Sequence, residues 1–156
     1  MRIKKMTHDP RLDDSEYVYA GFWVRLGAYV VDSLIAMVLL APFYYVEHQR
    51  WADVPIEQMP AYTVTDFVLT AVIVLLVVWF WVKKGATPGK MLFGLQIRDL
   101  KTGQFISTPK ALLRYLVGYT ISALVLCLGF IWIAFDNKKQ GWHDKIAGTV
   151  VVKRIR

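Results

Sequence analysis

Phe22-Trp23-Val24-Arg25-Leu26-Gly27-Ala28-Tyr29-Val30-Val31-Asp32-Ser33-Leu34-Ile35-Ala36-Met37-Val38-Leu39-Leu40-Ala41-Pro42-Phe43-Tyr44-Tyr45-Val46 is an apolar run interrupted by two charges, Arg25 and Asp32. A helix of about 20 residues, rising 1.5 Å per residue, covers the ~30 Å hydrocarbon core of a bilayer, so this run is long enough to cross one. A charge at the centre of such a helix costs roughly 2.5–3.5 kcal/mol. It implies a partner or a use. At 100° per residue the two side chains share a face to within about 20°, separated by a rise of roughly 10 Å. That is far for a direct bridge, and Arg25 would have to lean against the usual direction of helical side chains. A third group or water between them fits better. Arg25 lies near the end of the run and could instead snorkel to the headgroups; Asp32 is too short and too deep for that.

Two further runs have the same character. Phe67 to Val82 and Tyr115 to Phe135 contain no charge. The chain of 156 residues is 56% hydrophobic with a mean hydropathy of +0.38. Val68–Val82 lacks the polar stripe that a helix on a water-soluble core keeps. These features point to a one-domain integral membrane protein.

The net charge of +7 raises the question of nucleic acid, but the placement of the charge favours lipid. Lys and Arg number four in residues 1–21, one in 47–63, six in 83–110 and six in 136–156. The positive-inside rule puts 47–63 outside and the other three segments in the cytoplasm. Basic juxtamembrane segments attract anionic headgroups. Residues 1–21 carry Asp9, Asp13, Asp14 and Glu16 and no apolar core before a cleavage site, so they read as a cytoplasmic tail rather than a signal peptide. The expected spans are about 22–46, 64–82 and 111–135, with 153–156 a basic end. Phe22 and Trp23 mark one interface and Phe43, Tyr44 and Tyr45 the other. Trp79, Phe80 and Trp81 before Lys83 and Lys84 read as an aromatic belt. Asp66 suits the first turn of the second helix.

The third stretch conflicts with the charge rule if it crosses once, because six basic residues would then lie outside. A re-entrant helical hairpin restores the rule, with Gly118 and Gly129 as bend points, provided its backbone is buried in protein or lines a cavity. The fold class expected is therefore an all-α integral membrane protein. It has two full transmembrane helices, a membrane-embedded helical hairpin or third span, and a small cytoplasmic β element. That element combines Leu95–Asp99, a turn at Lys101-Thr102-Gly103, a return through Gln104–Ser107 and the β-branched tail Thr149–Lys153. Thr87-Pro88 reads as an N-cap and first helical residue.

Little in the chain suggests enzymatic chemistry. Gly85-Ala86-Thr87-Pro88-Gly89-Lys90 is one residue short of a phosphate loop, with Met91 where Ser or Thr would bind magnesium. His143, Asp144 and Asp136 are a poor zinc set; His143 is expected to pack or cap. Ser33 and Ser122 lack a nucleophile-elbow context. The single cysteine, Cys127, reads as a packing residue. No catalytic, metal or cofactor residues are assigned, and the chain is not expected to be an enzyme.

Three segments carry a resemblance. Ala20-Gly21-Phe22-Trp23-Val24-Arg25-Leu26-Gly27-Ala28-Tyr29-Val30-Val31-Asp32, Gly85 to Leu95, and Gly141-Trp142-His143-Asp144-Lys145-Ile146-Ala147-Gly148-Thr149-Val150-Val151-Val152 resemble, in order, the blocks of the RDD family. That family is named for one arginine and two aspartates, which carry over to Arg25, Asp32 and Asp144. The resemblance implies a prokaryotic multi-pass protein of the cytoplasmic membrane, for which transport of an unidentified ligand has been suggested. With the charge map, it implies an Arg25–Asp144 ion pair clamping the tail to the first helix, and Asp32 facing Arg114, a helix dipole or a cavity. Two functions follow: a transport or ion-exchange component working through Arg25, Asp32, Asp144 and Arg114, or a scaffold, assembly factor or accessory subunit. The first would need a homo-oligomer or a membrane-protein partner, because so few spans cannot enclose a path; the second would contact lipid or a partner through its basic cytoplasmic face.

Overall fold

A computed structural model of the chain describes residues 17–125 and 128–155, Ile56 by its backbone alone. Residues 1–16, which make up most of the expected tail, and Cys127 lie outside the described residues.

The first long helix, α1 (Phe22–Trp51), runs beyond the expected end at 46. It passes through Pro42, and its last turns are held by Trp51 Nε1 donating to Glu47 Oε1 at 3.0 Å. The connection to the next helix therefore starts at Ala52 and contains one short 3₁₀ turn, Ile56–Gln58. The second long helix, α2 (Val64–Lys84), opens on a capping box. Asp66 N donates to the Thr63 hydroxyl, and Thr63 N donates to Asp66 Oδ2. Asp66 is thus a helix-start residue, as its position suggested. Gly85 closes α2 in the left-handed region (φ 70°), where a residue without Cβ is unstrained. Both helices are long and apolar enough to cross a membrane.

A short helix, α3 (Pro88–Leu92), leads into β2 (Leu95–Asp99). β3 (Thr149–Arg154) pairs antiparallel with β2 on one side and with a short N-terminal strand, β1 (Tyr17–Tyr19), on the other. The sheet therefore differs from the expected element in including β1. Tyr-Val-Tyr has strong β-propensity, but three residues inside a charged tail give too little period to recognise. The return through Gln104–Ser107 is reduced to one bridge, Arg98 to Phe105. Asp99 accepts from Lys101 N and Thr102 N to tighten the turn. Pro109 then begins a helix and draws the chain off the sheet.

The third apolar stretch is broken. Helix α4 (Thr108–Leu112) passes through a π-helical segment, Leu113–Tyr119, into α5 (Thr120–Leu124). After the break come α6 (Leu128–Ile131) and a 3₁₀ turn, Trp132–Ala134. The two arms, Thr108–Leu124 and Leu128–Ala134, meet at 105°. The bend falls after Leu124, not at Gly118 or Gly129. Both glycines serve close packing instead. A Cβ on Gly118 would stand 2.8 Å from the His143 Cα, and one on Gly129 would stand 2.6 Å from the Ser122 hydroxyl.

The packed core lies at one end of the long helices. Trp81, Leu95, Ile97, Ile106, Ala111 and Val151 are buried there with Ala20, Ala28 and Val78. Trp81 is only 1% exposed, so it is a core residue and not part of an interfacial belt. Its ring meets Tyr115 and Tyr119 at 6.0 and 5.8 Å, and Tyr119 meets Phe130 at 5.5 Å. Trp79, two residues earlier, stays half exposed. The rest of α1 is nearly bare, with only Arg25 and Ala28 buried along it.

Candidate functional site: a buried charge cluster where the long helices meet the sheet

Helix α7 (Trp142–Ala147) places Asp144 in this core. The carboxylate is fully buried between two arginines. Arg25 Nη1 donates to Asp144 Oδ2 at 2.6 Å, and Arg114 Nη1 donates to Oδ1. Gly141 N adds a 3.0 Å bond to Oδ2. The arginines are held from behind as well. Arg25 Nε donates to the Ala20 carbonyl at 3.0 Å and Nη2 to the Lys139 carbonyl at 2.5 Å. Arg114 Nη1 also donates to the Thr149 hydroxyl at 2.5 Å, and its guanidinium sits 5.2 Å from the centre of the Trp81 ring. Charge-assisted bonds of this kind let a buried ion pair persist, although Arg114 Nε is buried without a hydrogen-bond partner among the described residues. Burial pushes the Asp144 carboxyl up, but Arg114 and Arg25 outweigh it and hold the group well below the usual carboxylate range.

The expected Arg25–Asp144 pair is thus present. Arg114 is the second arginine of the same cluster; it is buried, and it does not serve Asp32.

Asp32 has its own partners. Oδ2 accepts from the Thr87 hydroxyl at 2.5 Å and Oδ1 from Gly89 N at 2.7 Å, while Lys90 Nζ stands 3.9 Å from Oδ2. Thr87 has the extended backbone of an N-cap, yet its own side chain does not cap α3. Asp32, reaching across from α1, supplies that cap. Of the alternatives for Asp32, this is the helix-terminus one. The contact requires Gly89: a Cβ there would stand 2.3 Å from the Ala28 carbonyl and 2.8 Å from the Asp32 carboxyl carbon. Lys90 Nζ lies 5.9 Å from the centre of the Trp81 ring, so the ring has two cations, Lys90 and Arg114, within about 6 Å. Sequence reasoning missed Trp81, Thr87, Gly89 and Lys90 as site residues. The signal available was the spacing of Thr87-Pro88-Gly89, a helix start without a capping carboxylate of its own.

His143 is buried against Tyr119 and Phe130, with ring centres 4.9 and 5.0 Å away. Its Nδ1 is 3.4 Å from the Ser122 hydroxyl and its Nε2 is 3.6 Å from Asp144. Serine, histidine and aspartate are therefore adjacent. But all three are buried, and Asp144 is already committed to two arginines. Burial drives the imidazole down. Asp144 opposes that, Arg114 and Arg25 reinforce it, and the value falls to about 3. The folded form keeps His143 neutral where an unfolded chain would protonate it below about 6.5. Its contribution to stability is thus complete above that pH and is lost as pH falls towards 3. The loss is expected to approach ~1.4 kcal/mol per pH unit. The check is melting of the detergent-solubilised protein between pH 7.5 and 5.0, where His143→Gln should show a flatter profile than wild type.

Among the described residues, no group of three or more metal-ligating side chains lies together.

Two helices long and apolar enough to cross a membrane, a bent third stretch and a small sheet closed over a buried Arg–Asp–Arg cluster are the features of a membrane protein. The chain belongs to the RDD family, which matches residues 19–148 and so takes in Arg25, Asp32, Arg114 and Asp144. It is similar to the uncharacterized membrane protein YteJ of Bacillus subtilis, 32% identical over 87% of this chain and 82% of YteJ. It is also similar to YxaI of the same species, 28% identical over 85% of this chain and 96% of YxaI. A proline-rich antigen of Mycobacterium leprae is 29% identical over 83% of this chain and 59% of that protein. No solved structure matches.

Proposed function

We propose that this chain is a non-enzymatic module of the prokaryotic cytoplasmic membrane that acts by assembly, as a scaffold or accessory subunit. One observation carries this: each of the four carboxylate oxygens of Asp32 and Asp144 accepts from a donor fixed in the fold. A carboxylate that carries protons or cations needs an oxygen to offer. The bare sides of α1 and α2 leave surface for lipid and for a membrane partner or second copy.

The second reading is transport by an oligomer. The observation in its favour is the Asp32–Lys90 pair, separated by 3.9 Å, with side chains 20% and 11% exposed. Ion flux in proteoliposomes at matched protein levels separates the two. The module reading expects no proton- or cation-linked flux from wild type, and a lower melting temperature for Asp32→Asn. Flux in wild type that Asp32→Asn abolishes without loss of folding would overturn it.

The orientation proposed has both termini in the cytoplasm and the α1–α2 connection outside. The count of basic residues supports it. So does the pairing of β1 with β3, since strands from the two ends of the chain can pair only on one side of a bilayer. Cysteines at Gln58 and Lys153, in a Cys127→Ser background, test it with an impermeant thiol reagent on intact cells. Label is expected at position 58 alone; label at 153 without lysis would reverse the assignment.

A further inference from the structure

A groove of about 460 Å³ runs along α2. Its wall is Leu75, Leu76, Val78, Trp79 and Val82, and Lys83 and Thr108 stand at its end beside the sheet. The apolar residues form one helical stripe, at spacings of three, four and seven, so the wall is continuous over roughly 10 Å. The polar end coincides with the end of α2, where Lys83 and Lys84 follow one another. Around that end, Lys90 is paired with Asp32, Lys110 with Asp99 and Lys145 with Asp136. Among the described residues, Lys83 and Lys84 have no carboxylate partner.

We propose that this groove is a binding site for one anionic phospholipid, with an acyl chain along Leu75–Val82 and the phosphate at Lys83 and Thr108. The order of chemistry along the groove, hydrocarbon and then cation and hydroxyl, is the order along such a lipid. Trp79 lies at the level where an indole suits the boundary between the two. An unpaired lysine at the membrane surface attracts an anionic headgroup. A second copy of this chain packed face to face on the groove would bring another Lys83 and Lys84, which do not complement the cations. The site rests on membrane residence and on nothing else in the functional reading.

The experiment is native mass spectrometry of the full chain, purified in detergent and titrated with dioleoylphosphatidylglycerol or dioleoylphosphatidylcholine. Wild type is expected to retain one phosphatidylglycerol in preference to phosphatidylcholine. Lys83→Gln is expected to reduce that preference about fivefold, the equivalent of one lysine at a lipid surface. Val82→Trp, which fills the groove and leaves the charge, is expected to lower retention of both lipids. Lys153→Gln, on the exposed end of β3, is expected to change neither. Equal retention of the two lipids by wild type, or an unchanged preference in Lys83→Gln, would overturn the site. So would a disulfide-linked dimer formed through Leu75→Cys in a Cys127→Ser background, which would give the groove to a second copy. Release of wild type from membranes by alkaline carbonate would instead sink membrane residence itself, so the two failures are distinguishable.

Discussion

Asp144→Ala is expected to cost about 3–5 kcal/mol, the range for breaking a buried ion pair from one side. The variant leaves the Arg25 and Arg114 guanidiniums facing each other with no carboxylate between them. It also removes the acceptor that holds Gly141 N at the start of α7. Arg25→Ala should cost less, because Arg114 still neutralises Asp144. The double variant Arg25→Ala/Asp144→Ala should cost less than the sum of the two, since neither half is then left alone. Melting of the four forms in one detergent gives the coupling; strict additivity would mean that the pair contributes nothing as a pair.

Trp81→Ala is the second large effect, expected at about 3–5 kcal/mol from the cavity that a deleted buried aromatic leaves. Trp79→Ala should change stability by less than about 1 kcal/mol, as for an exposed substitution. The contrast is informative because the two residues are neighbours in the same Trp-Phe-Trp sequence. Equal losses would return both to an interfacial belt. Lys90 and Arg114 lie 5.9 and 5.2 Å from the Trp81 ring centre, so its removal opens a cavity beside two cations and adds an electrostatic cost to the lost packing.

The parts of the fold that the sequence makes legible are those written in long, one-signed patterns. Two long apolar stretches and a biased distribution of Lys and Arg suffice for the two long helices and for bringing Arg25 to the same end as Asp144. Thr63 and Asp66 are a local capping signal and are found in that role. What stays hidden depends on contacts between distant segments. Trp81 has the context of an interfacial residue and becomes a core residue only because Tyr115 and Tyr119 arrive from 34 and 38 positions further on. Thr87 has the type and backbone of an N-cap, but the capping oxygen comes from Asp32, 57 residues before Gly89. Gly118 and Gly129 are flexible by type; here they are the thin places that let His143 and Ser122 approach. No local pattern separates a glycine that bends from one that makes room.

The strand order β1-β3-β2 has a consequence for how the protein is made. The first and last strands of the chain are neighbours, and Asp144 precedes the last strand by only a few residues. Arg25 and Arg114 are therefore synthesised long before the carboxylate that neutralises both. A nascent chain holds two uncompensated guanidiniums until Asp144 emerges, and β1 has no partner strand until β3 follows. Synthesis of the segment from Asp144 to Arg154 is thus the event that closes the molecule. A chain that stops short of position 144 therefore leaves the charge of its buried cluster unbalanced as well as its sheet unpaired.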